Sequence, residues 1–139
     1  QNKTNAFSSW KHFSERAFSH RRNLTGLLKR ISKDKGVIVG YGASARSSTL
    51  LNFCGINLSL LPVIADKNQM KQKRFTAGSG ILIESPVEVM RMKPDFILVL
   101  AWNFAQEIMR ELDQKFGYRG KYIIPLPNSP RVLKFNRKH

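Results

Sequence analysis

Small residues with a spacing suited to phosphate binding lie about a third of the way along the chain. Residues 40 to 45 read Gly-Tyr-Gly-Ala-Ser-Ala, which fits the pattern G-x-G-x-x-G/A. Such residues let the backbone turn tightly and approach a pyrophosphate, whose charge meets the N-terminus of the following helix. A turn needed only for packing a strand against a helix is the alternative. The spacing favours ligand contacts from Gly40, Gly42, Ala43, Ser44 and Ala45.

Two charged residues stand where they could complete this site. Asp66 follows the fingerprint by about 20 residues, at the end of the next apolar run, where a carboxylate can bind ribose hydroxyls. Arg46 falls in the first turn of the predicted helix, where the helix dipole disfavours a cation by roughly 0.3–1 kcal/mol. A bound phosphate would reverse the sign of that interaction, although an arginine that extends into solvent accounts for the residue equally well.

Further candidates follow two strands of the predicted sheet. Residues 67–80 are polar and replace the helix expected between strands, so we predict a long functional loop there. Trp102 could stack on a base or a sugar, and Asn103 is foremost a predicted helix cap. Ligands bind at the carboxyl ends of strands in open α/β sheets. The loop candidates are Lys67, Lys71 and Arg74, with Lys73 beside them.

Alternating strand and helix patterns must position these residues. Apolar runs predict strands at residues 37–40, 60–65, 81–83, 95–101 and 122–125. A helix is predicted from Ser44 to Cys54, with Gly55 ending it, and a capping box of Ser85 and Glu88 begins another helix. The α/β pattern predicts a Rossmann-like, doubly wound parallel sheet of about five strands.

A long helix precedes the first strand. Its apolar residues recur at spacings of three and four, which predicts one face towards a core and basic residues elsewhere. We expect residues 1–36 to be a helical connector packed on the domain of residues 37–130, and residues 131–139 to leave the core as a basic tail. The first residue is Gln rather than Met, which favours a piece of a longer protein. The apolar stripe comprises Phe7, Trp10, Phe13, Ala17, Leu24, Leu27, Leu28 and Ile31.

Composition limits the possible partners. The 139 residues include 24 Lys and Arg against 9 Asp and Glu, a formal net charge of +15, which indicates polyanionic partners such as phosphorylated metabolites. Nucleic acid is not favoured, because neither an RNP-type aromatic run nor a KH-type GXXG loop is present. No apolar run reaches the roughly 20 residues of a membrane span. A single cysteine, Cys54, makes a cytoplasmic location the default. No histidine pair has metal-ligand spacing, and no catalytic constellation can be assembled.

Two runs, ARSSTLLN at residues 45–52 and AWNF at residues 101–104, are the most specific of several stretches that occur together in this chain. Together these stretches resemble the C-terminal domain of sugar C-methyltransferases, which use S-adenosylmethionine and act on nucleotide-linked deoxysugars. The sequence departs from the family pattern at Lys73, Ala77, Gly80 and Leu82, all in or beside the loop. The matching stretches are residues 42–55 (GASARSSTLLNFCG), 65–68 (ADKN), 70–75 (MKQKRF), 93–95 (KPD), 101–107 (AWNFAQE) and 124–127 (IPLP).

The resemblance implies that this chain is one domain of a longer protein whose domains have different roles. An upstream domain would carry S-adenosylmethionine and the catalytic groups, while this module would bind the nucleotide sugar and hold neither cofactor nor catalytic residues. A second interpretation is that this domain itself binds S-adenosylmethionine or a dinucleotide. A third is a structural or dimer-forming module whose glycine-rich turn serves packing alone, and a homo-oligomer is left open under all three.

Overall fold

The structure, a computed structural model, describes the backbone of residues 2–136 and the side chains of residues 11–136. Phe7 and Trp10 therefore lie outside the described side chains. The helices are α1 (Asn2–Lys33), α2 (Ala45–Cys54), α3 (Pro86–Met90) and α4 (Ala105–Phe116), the last preceded by a 3-10 turn, Trp102–Phe104. The strands are β1 (Ile38–Tyr41), β2 (Val63–Ala65), β3 (Leu82–Glu84), β4 (Phe96–Val99), β5 (Lys121–Ile124) and β6 (Arg131–Leu133).

The strands form one sheet in the order β3-β2-β1-β4-β5-β6. The first five are parallel, and the order reverses between β1 and β4, which is where ligands bind in doubly wound sheets. This confirms the predicted Rossmann-like architecture. Residues 131–133 do not leave the core as predicted but form β6, which pairs antiparallel with β5. Its two apolar residues stand between Arg131 and Lys134, so the sequence has no apolar run there to indicate a strand.

Apolar side chains cover both faces of the sheet. On one face α1 and α2 pack over Ile64, Leu98 and Ile123, and on the other α3 and α4 pack over Val39 and Ile97. Each of these sheet residues is at most 1% exposed. The continuous apolar runs of β1, β2 and β4 follow from this, because a parallel strand between two helical layers has no solvent face.

The long helix α1 is packed over only part of its length. Leu24, Leu28 and Ile31 are buried against the sheet, but Phe13 is 56% exposed, so the predicted apolar stripe does not face the core throughout. The spacing does not distinguish a buried stripe from an exposed one. In the described part of the chain, no helix is both long and apolar enough to cross a membrane.

Helix caps were predicted with mixed success. The predicted end of α2 at Gly55 is confirmed by its left-handed conformation. Ser44, predicted as the first helical residue, instead caps α2 through a reciprocal bond with Ser47. Ser85 accepts from the amide of Glu88, whose carboxylate pairs with Arg91, so in the described geometry only half of the predicted box forms. The predicted cap at Asn103 is wrong, since neither the 3-10 turn nor α4 has a side-chain cap. Asn103 lies within the 3-10 turn, and α4 begins two residues later, at Ala105.

The predicted loop after β2 is confirmed, and it also covers the edge of the sheet. Its residue Phe75 forms a bridge with Leu82, and the amide of Ile83 donates to the carbonyl oxygen of Arg74 at 2.8 Å. Backbone groups of an exposed edge strand would otherwise be open to pairing with another chain. The loop therefore has a structural role besides any functional one.

Candidate ligand-binding site

A groove of about 920 Å³ opens at the carboxyl edge of the sheet, on the side covered by α1 and α2. One wall is the middle part of α1, from His12 to Asn23, and the opposite wall is α2, from Arg46 to Phe53. Trp102 and the loop after β5 complete the groove. Its lining includes His12, Phe13, Glu15, Arg16, Ser19, His20 and Asn23 of α1, Arg46, Thr49, Leu50 and Phe53 of α2, and residues 126–129.

Two predicted site residues meet in this groove. The guanidinium carbon of Arg46 lies 5.8 Å from the centre of the Trp102 ring, within the range of a cation–π contact. Trp102 packs against the cores on both faces of the sheet, which fixes its indole at the crevice between β1 and β4. Arg46 is exposed at its side chain. The pair thus offers a fixed aromatic surface beside a positive charge that solvent can reach.

The glycine-rich turn is arranged differently, because three consecutive amides bond within the protein. The amide of Gly42 donates to the carbonyl oxygen of Ala65 at 2.8 Å, and that of Ser44 donates to Oγ of Ser47 at 2.7 Å. Between them, the amide of Ala43 donates to Oδ2 of Asp66 at 2.8 Å. These N–H groups are the ones that a dinucleotide fingerprint would direct at a pyrophosphate.

Asp66 is engaged with its neighbours on both carboxylate oxygens. Besides the bond to Ala43, its Oδ1 accepts from the amide of Asn68 at 2.8 Å. Lys71 lies 4.0 Å from Oδ2 and donates to the carbonyl oxygen of Ala43. The side chain of Gln72 donates to the carbonyl oxygen of Asp66 at 2.8 Å. Asp66 therefore joins the glycine-rich turn to the loop, and its ribose contact stays a prediction.

The remaining loop cations point in different directions. Lys67 bonds at 3.1 Å to Glu111 of α4, on the opposite face of the sheet, and Lys73 bonds at 2.9 Å to Glu84. Hydrogen bonding from Lys115, with a smaller contribution from Lys67, lowers the pKa of Glu111. Arg74 is exposed. The structure thus does not gather the loop cations around one point.

Sequence reasoning missed the contribution of α1. His12, Arg16 and His20 lie at spacings of four, so they share one face of the helix, and all three line the groove. Nε2 of His20 donates to the carbonyl oxygen of Pro125, which ties α1 to the end of β5. A polar stripe at helical spacing was the available signal, but it is indistinguishable from a solvated face until the packing is known.

The sequence is similar to known proteins over most of its length. A family model described as the C-methyltransferase C-terminal domain matches residues 1–127. The C-methyltransferase NovU of Streptomyces niveus is 34% identical over 113 residues, which cover 81% of this chain and 27% of that protein. The chain therefore spans about a quarter of the length of this relative. The family match includes α1, the glycine-rich turn and Trp102.

Proposed function

Because the chain belongs to the C-methyltransferase C-terminal domain family, we propose that it is the substrate-binding module of an S-adenosylmethionine-dependent enzyme. That enzyme would methylate a carbon of a nucleotide-linked ketodeoxysugar. The methyl donor and the catalytic groups would belong to a domain upstream of this chain. The observation that carries the proposal is the contact between Arg46 and Trp102 in the groove at the switch point of the sheet.

The chemistry of the groove suits a ligand with an aromatic or sugar part and a phosphate part. An indole ring binds the face of a base or a sugar, and a guanidinium binds phosphate oxygens in pairs. Arg46 also lies in the first turn of α2, where a cation is disfavoured unless an anion is near. Bound phosphate would turn this unfavourable placement into a favourable one.

The internal hydrogen bonds of the glycine-rich turn disfavour a dinucleotide pyrophosphate at this site. The amides that would face the phosphates of a dinucleotide have protein partners, and the carboxylate that would bind ribose hydroxyls accepts from Ala43 and Asn68. Binding of a pyrophosphate there would require the hydrogen bonds of these amides to break, whereas Asp66 accepts one amide on each oxygen and keeps lone pairs for ribose hydroxyls. This favours the substrate-binding interpretation over a dinucleotide site, and the calorimetric test below addresses S-adenosylmethionine.

Calorimetric titration of the 139-residue chain tests the proposal. We expect saturable binding of UDP-glucose or dTDP-glucose, and about a tenfold weaker Kd for Arg46→Gln, since a charge-assisted hydrogen bond contributes about 1.5 kcal/mol or more. Trp102→Leu should weaken binding as well. The matched control is Arg110→Gln, which removes an exposed arginine from α4, on the other face of the sheet.

Stability measurements separate a binding role of Arg46 from a structural one. Loss of the cation–π contact and relief of the dipole repulsion oppose each other, so Arg46→Gln should change the free energy of unfolding by about 0.5 kcal/mol or less. Binding of S-adenosylmethionine or NAD that is lost in Asp66→Ala would contradict the proposal. Absence of heat with every ligand would favour a purely structural module.

A further inference from the structure

Two arginines face the same groove from opposite walls. Arg16 comes from α1 and Arg46 from α2, and both side chains are exposed. Within residues 11–136, neither arginine forms an ion pair. The lining also includes one carboxylate, Glu15, so the two arginines leave the groove with a net positive charge that a ligand can meet. Lys67 and Lys73, in contrast, are paired with carboxylates.

The wall that carries Arg16 is held in place by several contacts. His20 bonds to the carbonyl oxygen of Pro125, and the guanidinium of Arg21 lies 4.8 Å from the ring centre of Phe18 and 5.4 Å from that of Phe53. Further along, the hydroxyl of Thr25 donates to the end of α2 at 3.2 Å. Because these contacts tie α1 to both α2 and the β5 loop, the separation of the two walls is defined by the fold.

We propose that Arg16 and Arg46 together bind the diphosphate group of the ligand, one from each wall, so that α1 supplies half of the phosphate site. This inference rests on the proposed function of the groove. A diphosphate carries at least two negative charges, and each guanidinium matches the geometry of phosphate oxygens. Ser19 and Asn23, on the same wall, provide groups for sugar hydroxyls. The helix that the sequence presents as a connector thereby becomes part of the binding site.

The test compares two arginines of the same helix. Arg16→Gln and Arg30→Gln remove the same charge from α1, but Arg30 does not line the groove. We expect Arg16→Gln to weaken the Kd for UDP-glucose about tenfold and to weaken displacement by inorganic pyrophosphate similarly. Arg30→Gln should leave both unchanged. Thermal unfolding of each variant verifies that α1 remains folded.

The outcomes distinguish this inference from the proposed function. If Arg46→Gln weakens binding while Arg16→Gln behaves like Arg30→Gln, the shared phosphate site is wrong and the substrate-binding role stands. Equal weakening by Arg16→Gln and Arg30→Gln would mean a general attraction to positive charge and would also overturn the inference. If the unmodified chain binds neither UDP-glucose nor dTDP-glucose, the proposed function fails and the inference fails with it.

Discussion

The glycine-rich turn and the groove lie at the same edge of the sheet, but their polar groups have different partners. In the turn, three consecutive amides donate to acceptors within the protein, and one of those acceptors is the Asp66 carboxylate. In the groove of about 920 Å³, which Glu15 also lines, Arg16 and Arg46 form no ion pair among the described residues. A motif known for ligand binding can thus be used internally, whereas residues outside any motif remain available to a ligand.

The first test of this comparison concerns the attachment of the groove wall. Leu24 belongs to the face of α1 that packs against the core and is fully buried. Leu24→Ala should therefore lower the free energy of unfolding by about 3–4 kcal/mol, because burial is lost and a cavity is left. Chemical denaturation followed by circular dichroism measures the change. Leu58→Ala is the matched control, because that side chain is 62% exposed. An unchanged midpoint for Leu24→Ala would mean that α1 unfolds separately and does not provide a fixed wall.

A second test concerns the turn. Gly42 has a φ of 98°, and a Cβ added there would lie 2.7 Å from the Cβ of Ala101. Gly42→Ala should therefore cost about 3 kcal/mol, from a disfavoured backbone conformation together with overpacking. Gly55→Ala provides the control, since φ is 67° there but no atom lies within 4 Å of the added carbon. We expect about 1 kcal/mol for the control in the same unfolding measurement. Equal losses of unfolding free energy in the two variants would show that the contact with Ala101 does not add to the destabilisation.

The third test asks whether Asp66 stabilises the turn or binds ligand. Asp66→Ala removes the acceptor for the amides of Ala43 and Asn68, so we expect a loss of about 2 kcal/mol in unfolding free energy. Glu88→Ala removes an exposed carboxylate paired with Arg91 and should cost about 0.5 kcal/mol or less. Calorimetry with UDP-glucose should show that folded Asp66→Ala still binds. A variant of unchanged stability that has lost binding would contradict the internal role.

Much of the fold could be predicted from the sequence because the five parallel strands lie in largely apolar runs. The sequence also predicts the helix from Ser44, its end at Gly55 and the loop after β2, since caps and polar segments leave local patterns. The strand β6 and the failure of Asn103 as a cap were not, because both depend on which backbone groups lie nearby in space.

The candidate site could be predicted from the sequence less completely than the fold. Arg46 and Trp102 could be placed near one another because both follow parallel strands at the switch point. The use of Asp66 as an acceptor for Ala43 depends on the side-chain rotamer and on the path of the loop, neither of which is encoded in spacing. The contribution of Arg16 required the position of α1 relative to α2, and that position is set by packing between distant segments.

The smallest expected effect concerns Tyr41, whose hydroxyl, unlike the amides of the adjacent turn, has no hydrogen-bond partner among the described residues. Tyr41 directly precedes Gly42, and its hydroxyl is buried. Burial, with smaller contributions from the charges of Glu111 and Asp66, raises the pKa of Tyr41 to about 12. The folded state therefore favours the neutral phenol, and this contribution to stability is complete below pH 10 and is lost as pH rises towards 12.

At pH 7, Tyr41→Phe should change the free energy of unfolding by less than about 1 kcal/mol, because no bond is broken. Between pH 10 and 12, the variant should lose less stability than the unmodified chain, although not none, since burial raises the pKa of Tyr118 and Tyr122 as well. A marked destabilisation at pH 7 would mean that the hydroxyl has a partner, such as a bound water, and that the turn region has no unsatisfied group after all.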